Sequence, residues 1–294
     1  MPTHHVFMLR PEAFGFNPQT AGSNSFQQGG TLPPDTVRRT ALEEWEQAVQ
    51  QLRDAGVVVH VLPGCKTESL PDEIFLNNWF STHPGGRLIL YPMLTPNRQK
   101  EVRAELTDLL QRHPVARSVT DLRNSLQQSA ILEGTGSLVF DPSGARAYAV
   151  LSERTTPKGL AAFTSGTGIP VYSFSANRPV YHTNVLMCLT PHISVICMDC
   201  IADQTDRHFL EQAFADTLLN ISEQQMEHFC GNMLGLTSCS GDPLLVMSST
   251  AREAFRPEQW KQITATHKPV VLDIPVIEQY GGGSARCMLA ECYI

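Results

Sequence analysis

Short apolar, strand-like runs alternate along this chain with single amphipathic helices, about five times over. That alternation confines the fold to the α/β or α+β classes. HHVFMLR reads as a first strand. The first helix is expected to start near Asp35 as N-cap, to carry Ala41, Leu42, Trp45, Val49 and Leu52 at helical spacing, and to stop at Gly56 in the C′ position. VVVHVLPG and RLILYPM read as further strands. Asn97 is expected to cap a second helix with Val102, Leu106, Leu109 and Leu110 on one face, and Thr156-Pro157 to open a third. More helices are expected around 206–219, 222–230 and 257–266, with strands at 244–248, 270–273 and 287–291. Between the first strand and first helix lies FGFNPQTAGSNSFQQGGTLPP, too long for an ordinary connection and therefore a candidate functional loop. No exact repeat or linker divides the chain, so one domain over 1–294 is expected.

Charge and targeting signals narrow the function classes. The formal net charge of −7 comes from scattered acidic residues and gives no footprint for nucleic acid. MPTHHVFMLRPEAF lacks the basic start and apolar stretch of a signal peptide. No apolar run approaches the ~20 residues of a membrane span. A soluble, cytoplasmic protein is expected, with a small molecule rather than a nucleic acid or membrane as partner. A homodimer is the default for an enzyme of this size.

Metal and cofactor signals are absent from the motifs. The pair Cys197-x-x-Cys200 lies in HISVICMDCI, an apolar strand-like run, without the partner pair a zinc site needs or the helix N-terminus that activates a redox thiol. Two core thiols is the reading. The histidines at 4, 5, 60, 83, 113, 192, 208, 228 and 267 show no ligand spacing, and no nucleotide-binding glycine loop occurs. No metal and no cofactor are expected.

Four segments combine reactive side chains with tight turns: LPDEIFLNNWF with Asp72, Asn77 and Asn78; ILEGTGSLVF with Glu133; VYHTNVLMCL with His182 and Asn184 on an apolar strand; and GGGSARC ending on Cys287. Taken singly, each has an ordinary reading as a turn, a solvated carboxylate, a core histidine or a buried thiol. Together they suit one chemistry. A cysteine thiolate adds to a planar carbon, a histidine moves protons to the leaving amine and from water, and a carboxylate grips the N–H groups of the electrophile.

These motifs resemble the guanidine-modifying (pentein) superfamily of arginine deiminases, dimethylarginine dimethylaminohydrolases and amidinotransferases. LPDEIFLNNWF, LEGTGS, HTN and GGGSARCM occur in that family's order across the whole chain. RPEAFGFNPQTAGSNSFQ is similar to its citrulline-utilization hydrolase subgroup. The resemblance implies an α/β fold, a five-bladed propeller of ββαβ modules around a pseudo-fivefold axis. It implies Cys287 as nucleophile, His182 as general acid/base and Glu133 as the carboxylate on the substrate nitrogens. Asp72 and the N-terminal loop would hold the amino-acid end or close the site, with Asn77 beside them.

The departures from the family pattern bear on the substrate. Many relatives that bind a guanidinium have a carboxylate where Asn78 stands, and arginine deiminases have Asp at the position of Asn184. An amide carries a donor, an acceptor and no charge. A buried guanidinium would lose partners here, at a cost on the order of 3–5 kcal/mol, whereas a neutral ureido group would not. Citrulline, cleaved through a carbamoyl- or amidine-type thioester, is the leading candidate. The alternatives are arginine-deiminase, dimethylargininase-like or amidinotransferase activity on a guanidino substrate. A cysteine peptidase is disfavoured because its nucleophile precedes its histidine. A non-catalytic pentein-fold binding protein has no need of Cys287, His182 and Glu133.

Overall fold

The computed structural model describes residues 2–114 and 116–293. Among them, fifteen strands form five separate three-stranded sheets, each with the same plan. A central strand pairs antiparallel with one neighbour and parallel with the other, and a helix crosses over between the parallel pair.

One sheet joins β3 (Phe80–His83), β4 (Arg87–Leu90) and β5 (Ser118–Asp121), with the helix Ala104–Arg112 as crossover. The next joins β6 (Val139–Phe140), β7 (Ala147–Val150) and β8 (Val171–Phe174) through the helix Pro157–Thr167. Then β9 (Met187–Leu189), β10 (Ser194–Ile196) and β11 (Leu218–Asn220) are linked by Gln204–Ala213. β12 (Leu234–Thr237), β13 (Pro243–Ser248) and β14 (Lys268–Leu272) are linked by Pro257–Thr266. The remaining sheet is made from both ends of the chain. β1 (His5–Leu9) runs parallel to β2 (Val58–Leu62) after the helix Pro34–Asp54, and β15 (Ala290–Glu291) closes its other edge antiparallel, with Phe7 opposite Ala290.

The central strands explain the architecture. Val6–Leu9, Leu88–Leu90, Ala147–Val150, Val195–Ile196 and Leu244–Met247 are buried on both faces, as continuous apolar runs without alternation require. Among the described residues, no helix is long and apolar enough to cross a membrane.

Several local expectations need correction. The first helix starts at Pro34, whose fixed φ suits the first helical position, and Asp35 lies inside its first turn; Gly56 does take the left-handed C′ conformation, at φ +85°. The second helix is two pieces, Pro96–Gln99 and Ala104–Arg112. Arg98 and Glu101 turn inward and pair through Nε–Oε1 at 2.9 Å, and the chain restarts its helix only after them. Leu106 and Leu110 then face the core while Leu109 stays exposed. The helix expected over 206–219 ends at Ala213, before β11. The segment 180–189 is not one strand: His182 precedes a helical turn, Thr183–Leu186, and only β9 is extended. That turn is pinned by side chains, since Thr183 Oγ1 donates to the Ser137 carbonyl (2.6 Å) and Asn184 Nδ2 to that of Thr135 (3.1 Å). Cys287 likewise lies on a turn, Ala285–Met288, ahead of β15. Cys197 and Cys200 follow β10 on a tight turn, both fully buried with sulfurs 3.1 Å apart.

Candidate active site

Every sheet is entered through a turn that carries a small polar residue followed by two apolar ones. The five are Asn78-Trp79-Phe80, Ser137-Leu138-Val139, Asn184-Val185-Leu186, Asn232-Met233-Leu234 and Cys287-Met288-Leu289. The apolar pair anchors the turn in the core, and the polar residue is left two or three positions ahead of the strand. Asn232 was missed in the sequence reading, although this recurrence marks it.

Cys287 is 3% exposed, with two amides against its sulfur. Asn232 Nδ2 stands 3.3 Å from Sγ and Asn184 Nδ2 3.9 Å. Asn232 is oriented by its own contacts: its Nδ2 also donates to the Asn184 carbonyl at 2.9 Å, and its Oδ1 accepts from the Arg286 N–H at 3.1 Å. Burial pushes the thiol up from its ordinary value, against the pull of the Ser284 and Asn232 contacts and of Arg286. Asn232→Ala is expected to raise it further, moving the pH midpoint of Cys287 alkylation upward by about one unit. Mass-spectrometric alkylation across pH measures this, and an unchanged midpoint would remove Asn232 as a thiolate partner.

His182 and Glu133 form the second pole. His182 Nε2 lies 2.8 Å from Glu133 Oε2, and both residues are buried. Glu133 Oε1 accepts the Leu94 N–H at 3.0 Å, while Arg154 Nη1 and Arg98 Nη1 approach Oε2 at 3.5 and 4.0 Å. Burial opposes a charge on Glu133, yet Arg154, His182 and Arg98 outweigh it and hold the carboxyl far below the ordinary range. His182 goes the other way: burial, only partly offset by Glu133, pushes it down to about 4. At neutral pH the imidazole is therefore uncharged and Glu133 ionised. An Nε2–H donated to that carboxylate leaves Nδ1 as an acceptor. A Cβ on Gly136 would stand 2.6 Å from that Nδ1 and 2.5 Å from Asn78 Nδ2, so only glycine fits there.

Cys287, His182, Asp72, Asn78, Arg98 and Arg154 line one small cavity of about 10 Å³. Asp72 Oδ2 accepts from Asn17 Nδ2 (2.7 Å) and Thr20 Oγ1 (3.1 Å), while its Oδ1 is buried without a hydrogen-bond partner. Asn78 Oδ1 accepts from Arg98 Nη1 at 2.7 Å, and its Nδ2 donates to Asn77 Oδ1 at 3.1 Å. Asn77, Asn184 and Glu133 do not line the cavity; they hold the residues that do. A larger space of about 100 Å³ lies beyond Asn184, beside Arg286 and Glu291, and is lined by neither Cys287 nor His182.

The N-terminal loop and the triple glycine meet at this cavity. Arg154 donates to the Thr20 carbonyl and Ser23 Oγ (3.2 and 2.8 Å), and Asn24 Nδ2 to the Gly282 carbonyl (3.2 Å). Gly282 adopts φ +64°, and a Cβ there would lie 2.5 Å from the Gln27 nitrogen. Arg98 and Arg154 lie outside every motif and carried no sequence signal, whereas Asn24 belongs to the long N-terminal loop that the sequence marks as a candidate.

The sequence profile of a family described as N,N dimethylarginine dimethylhydrolase, eukaryotic, matches residues 10–294. The chain belongs to that family. With it, the chain falls in the guanidine-modifying superfamily that its motifs resemble. Its fold is similar to that of the N-terminal domain of ArgZ bound to substrate, an arginine dihydrolase of the ornithine–ammonia cycle in cyanobacteria. There the TM-score is 0.79 at 16% identity, covering 98% of each chain. Against full ArgZ the TM-score is 0.76 at 17% identity, over 98% of this chain and 40% of that one. A dimethylarginine dimethylaminohydrolase adduct with S-methyl-L-thiocitrulline matches at TM-score 0.67 and 14% identity, over 99% and 100% of the chains. No curated protein matches by sequence search.

Proposed function

We propose that this family member is a cysteine-dependent hydrolase of a non-peptide C–N bond in a ureido amino acid, with citrulline the leading substrate. In this reading the five sheets are the blades of one α/β propeller domain and the site lies at its centre. The observation that supports a neutral substrate is the state of Glu133. Its charge is already matched by two buried guanidinium groups, Arg154 and Arg98. A third guanidinium beside them would find Asp72 as its one carboxylate in the cavity, because Asn78, Asn184 and Asn232 are uncharged. A ureido group brings no charge to compensate. The unpartnered Asp72 Oδ1 suits a substrate N–H or ammonium, and Arg154 suits a carboxylate.

In the proposed reaction Cys287 Sγ forms a bond to the ureido carbon as the thiol gives its proton to His182 Nδ1. His182 Nδ1 carries a proton to the departing nitrogen, and a carbamoyl thioester remains on the sulfur. His182 then takes a proton from water, whose oxygen attacks the thioester carbon and restores the thiol. The released carbamate loses CO₂. Whether ammonia or the side-chain amine leaves first, the sum is the same: one citrulline and one water give ornithine, ammonia and CO₂. A thiol, an imidazole and water suffice, so no cofactor enters.

The competing reading is a guanidino substrate. The family's name refers to N,N-dimethylarginine, and ArgZ is an arginine dihydrolase. Steady-state kinetics on citrulline, arginine and N,N-dimethylarginine separate the two. Citrulline is expected to give the highest kcat/KM, with ornithine and ammonia formed without an acceptor amine. Preference for arginine with citrulline accumulating would sink the ureido assignment.

A further inference from the structure

Away from Cys287, the fold gathers two histidines and a cysteine that the sequence keeps far apart. His60 lies on β2, opposite Phe7 of β1. His113 ends the helix Ala104–Arg112, and Cys292 follows β15, its N–H donating to the His5 carbonyl at 2.9 Å. One donor atom from each of His60, His113 and Cys292 lies within 4.8 Å of the other two. The two imidazoles are half-buried and stand edge to face with centroids 5.2 Å apart, while the thiol beneath them is buried and in no disulfide. His5 Nδ1 and His60 Nε2 share a hydrogen bond of 3.0 Å.

We infer that His60, His113 and Cys292 form a binding site for a borderline-soft transition-metal ion, Zn²⁺ by its ligand chemistry. Two imidazoles and a thiolate are a donor set that Zn²⁺ accepts and that Mg²⁺ and Ca²⁺, which take oxygen ligands, do not. With metal–ligand bonds of about 2.0–2.3 Å, tetrahedral donors stand roughly 3.3–3.8 Å apart. The three donor atoms, all within 4.8 Å of one another, need only small side-chain adjustments to reach that geometry. Water can take the fourth position. Binding releases the Cys292 proton to solvent and changes no oxidation state. With its Nε2–H donated to His5 Nδ1, His60 keeps Nδ1 as the acceptor for the ion and its ring is oriented, as metal-bound imidazoles commonly require. The ion would tie together β2, the end of the helix Ala104–Arg112 and the segment just after β15, five residues beyond Cys287.

The test uses the whole chain carrying Cys287→Ser, so that the active-site thiol cannot contribute. Cobalt(II) titration is expected to show one bound ion with a thiolate-to-cobalt charge-transfer band that Zn²⁺ displaces. Adding Cys292→Ser should abolish the band, and His60→Gln or His113→Gln, at half-buried positions that tolerate change, should weaken binding at least about tenfold. His5→Ala should weaken it about 10- to 100-fold while leaving the band's position unchanged. Zn²⁺ should raise Tm in the Cys287→Ser chain but not in the His113→Gln variant. No stoichiometric binding, or a band that survives both His→Gln changes or Cys292→Ser, overturns the site.

Discussion

Cys287→Ala is expected to lower kcat by on the order of 10⁴- to 10⁶-fold, the scale seen when a covalent nucleophile is deleted, while leaving the fold in place. The change removes one sulfur from a buried position. Asn232 keeps its other contacts, to the Asn184 carbonyl and the Arg286 N–H. The stability cost should therefore stay near 1 kcal/mol. Steady-state rates with a coupled ornithine assay, alongside urea unfolding, measure both quantities. In the wild-type chain, rapid quenching and intact-mass analysis should find a carbamoyl adduct on the Cys287 peptide. Full activity in Cys287→Ala would falsify the covalent mechanism.

Glu133→Gln is expected to damage both folding and turnover. The carboxylate is the shared partner of His182, Arg154 and Arg98, all buried. Arg98 retains Glu101, but Arg154 would keep no carboxylate within ion-pair distance, holding the Thr20 carbonyl, Ser23 and the face of the Tyr181 ring. Leaving a buried charge without its counter-charge costs about 3–5 kcal/mol. Turnover should fall by roughly 10²- to 10⁴-fold, because His182 loses the anion that stabilises its protonated form. Replacing Arg154 by Met in the same chain should recover part of the stability and none of the activity, and this double-mutant comparison isolates the ion pair. The pH dependence has a definite sign. The native carboxyl titrates far below its ordinary value of 4.5, so its stabilisation is complete above about pH 4.5 and fades as pH falls. The stability gap between wild type and Glu133→Gln should narrow on acidification; a gap independent of pH would mean the charge is not what stabilises the fold.

Much of this molecule was legible in advance. Apolar runs broken by single helices gave the α/β class, because a strand buried on both faces must be apolar throughout. Thr156 caps its helix as the Thr-Pro signature requires, accepting the Gly159 N–H at 3.1 Å. The segments holding Cys287, His182, Glu133 and Asn78 stood out because tight turns need glycine and small polar residues whose identity shows in sequence. The helix around Asn97 was misread because its interruption serves a long-range need, the inward turn of Arg98 and Glu101, which no local pattern encodes. The strand expected over 180–189 failed for the same reason. Its turn is held by Thr135, Ser137 and Val150, tens of residues upstream.

The sequence by itself determined the reactive groups, a thiol, an imidazole and a carboxylate, and the uncharged amides Asn78 and Asn184. It could not say which groups share a pocket or in what protonation state, since both depend on burial and on neighbours brought in by the fold. Only the tertiary structure placed Asn232 on the sulfur and two guanidinium groups on Glu133. Desolvation then leaves His182 neutral while the paired guanidinium charges keep Glu133 ionised.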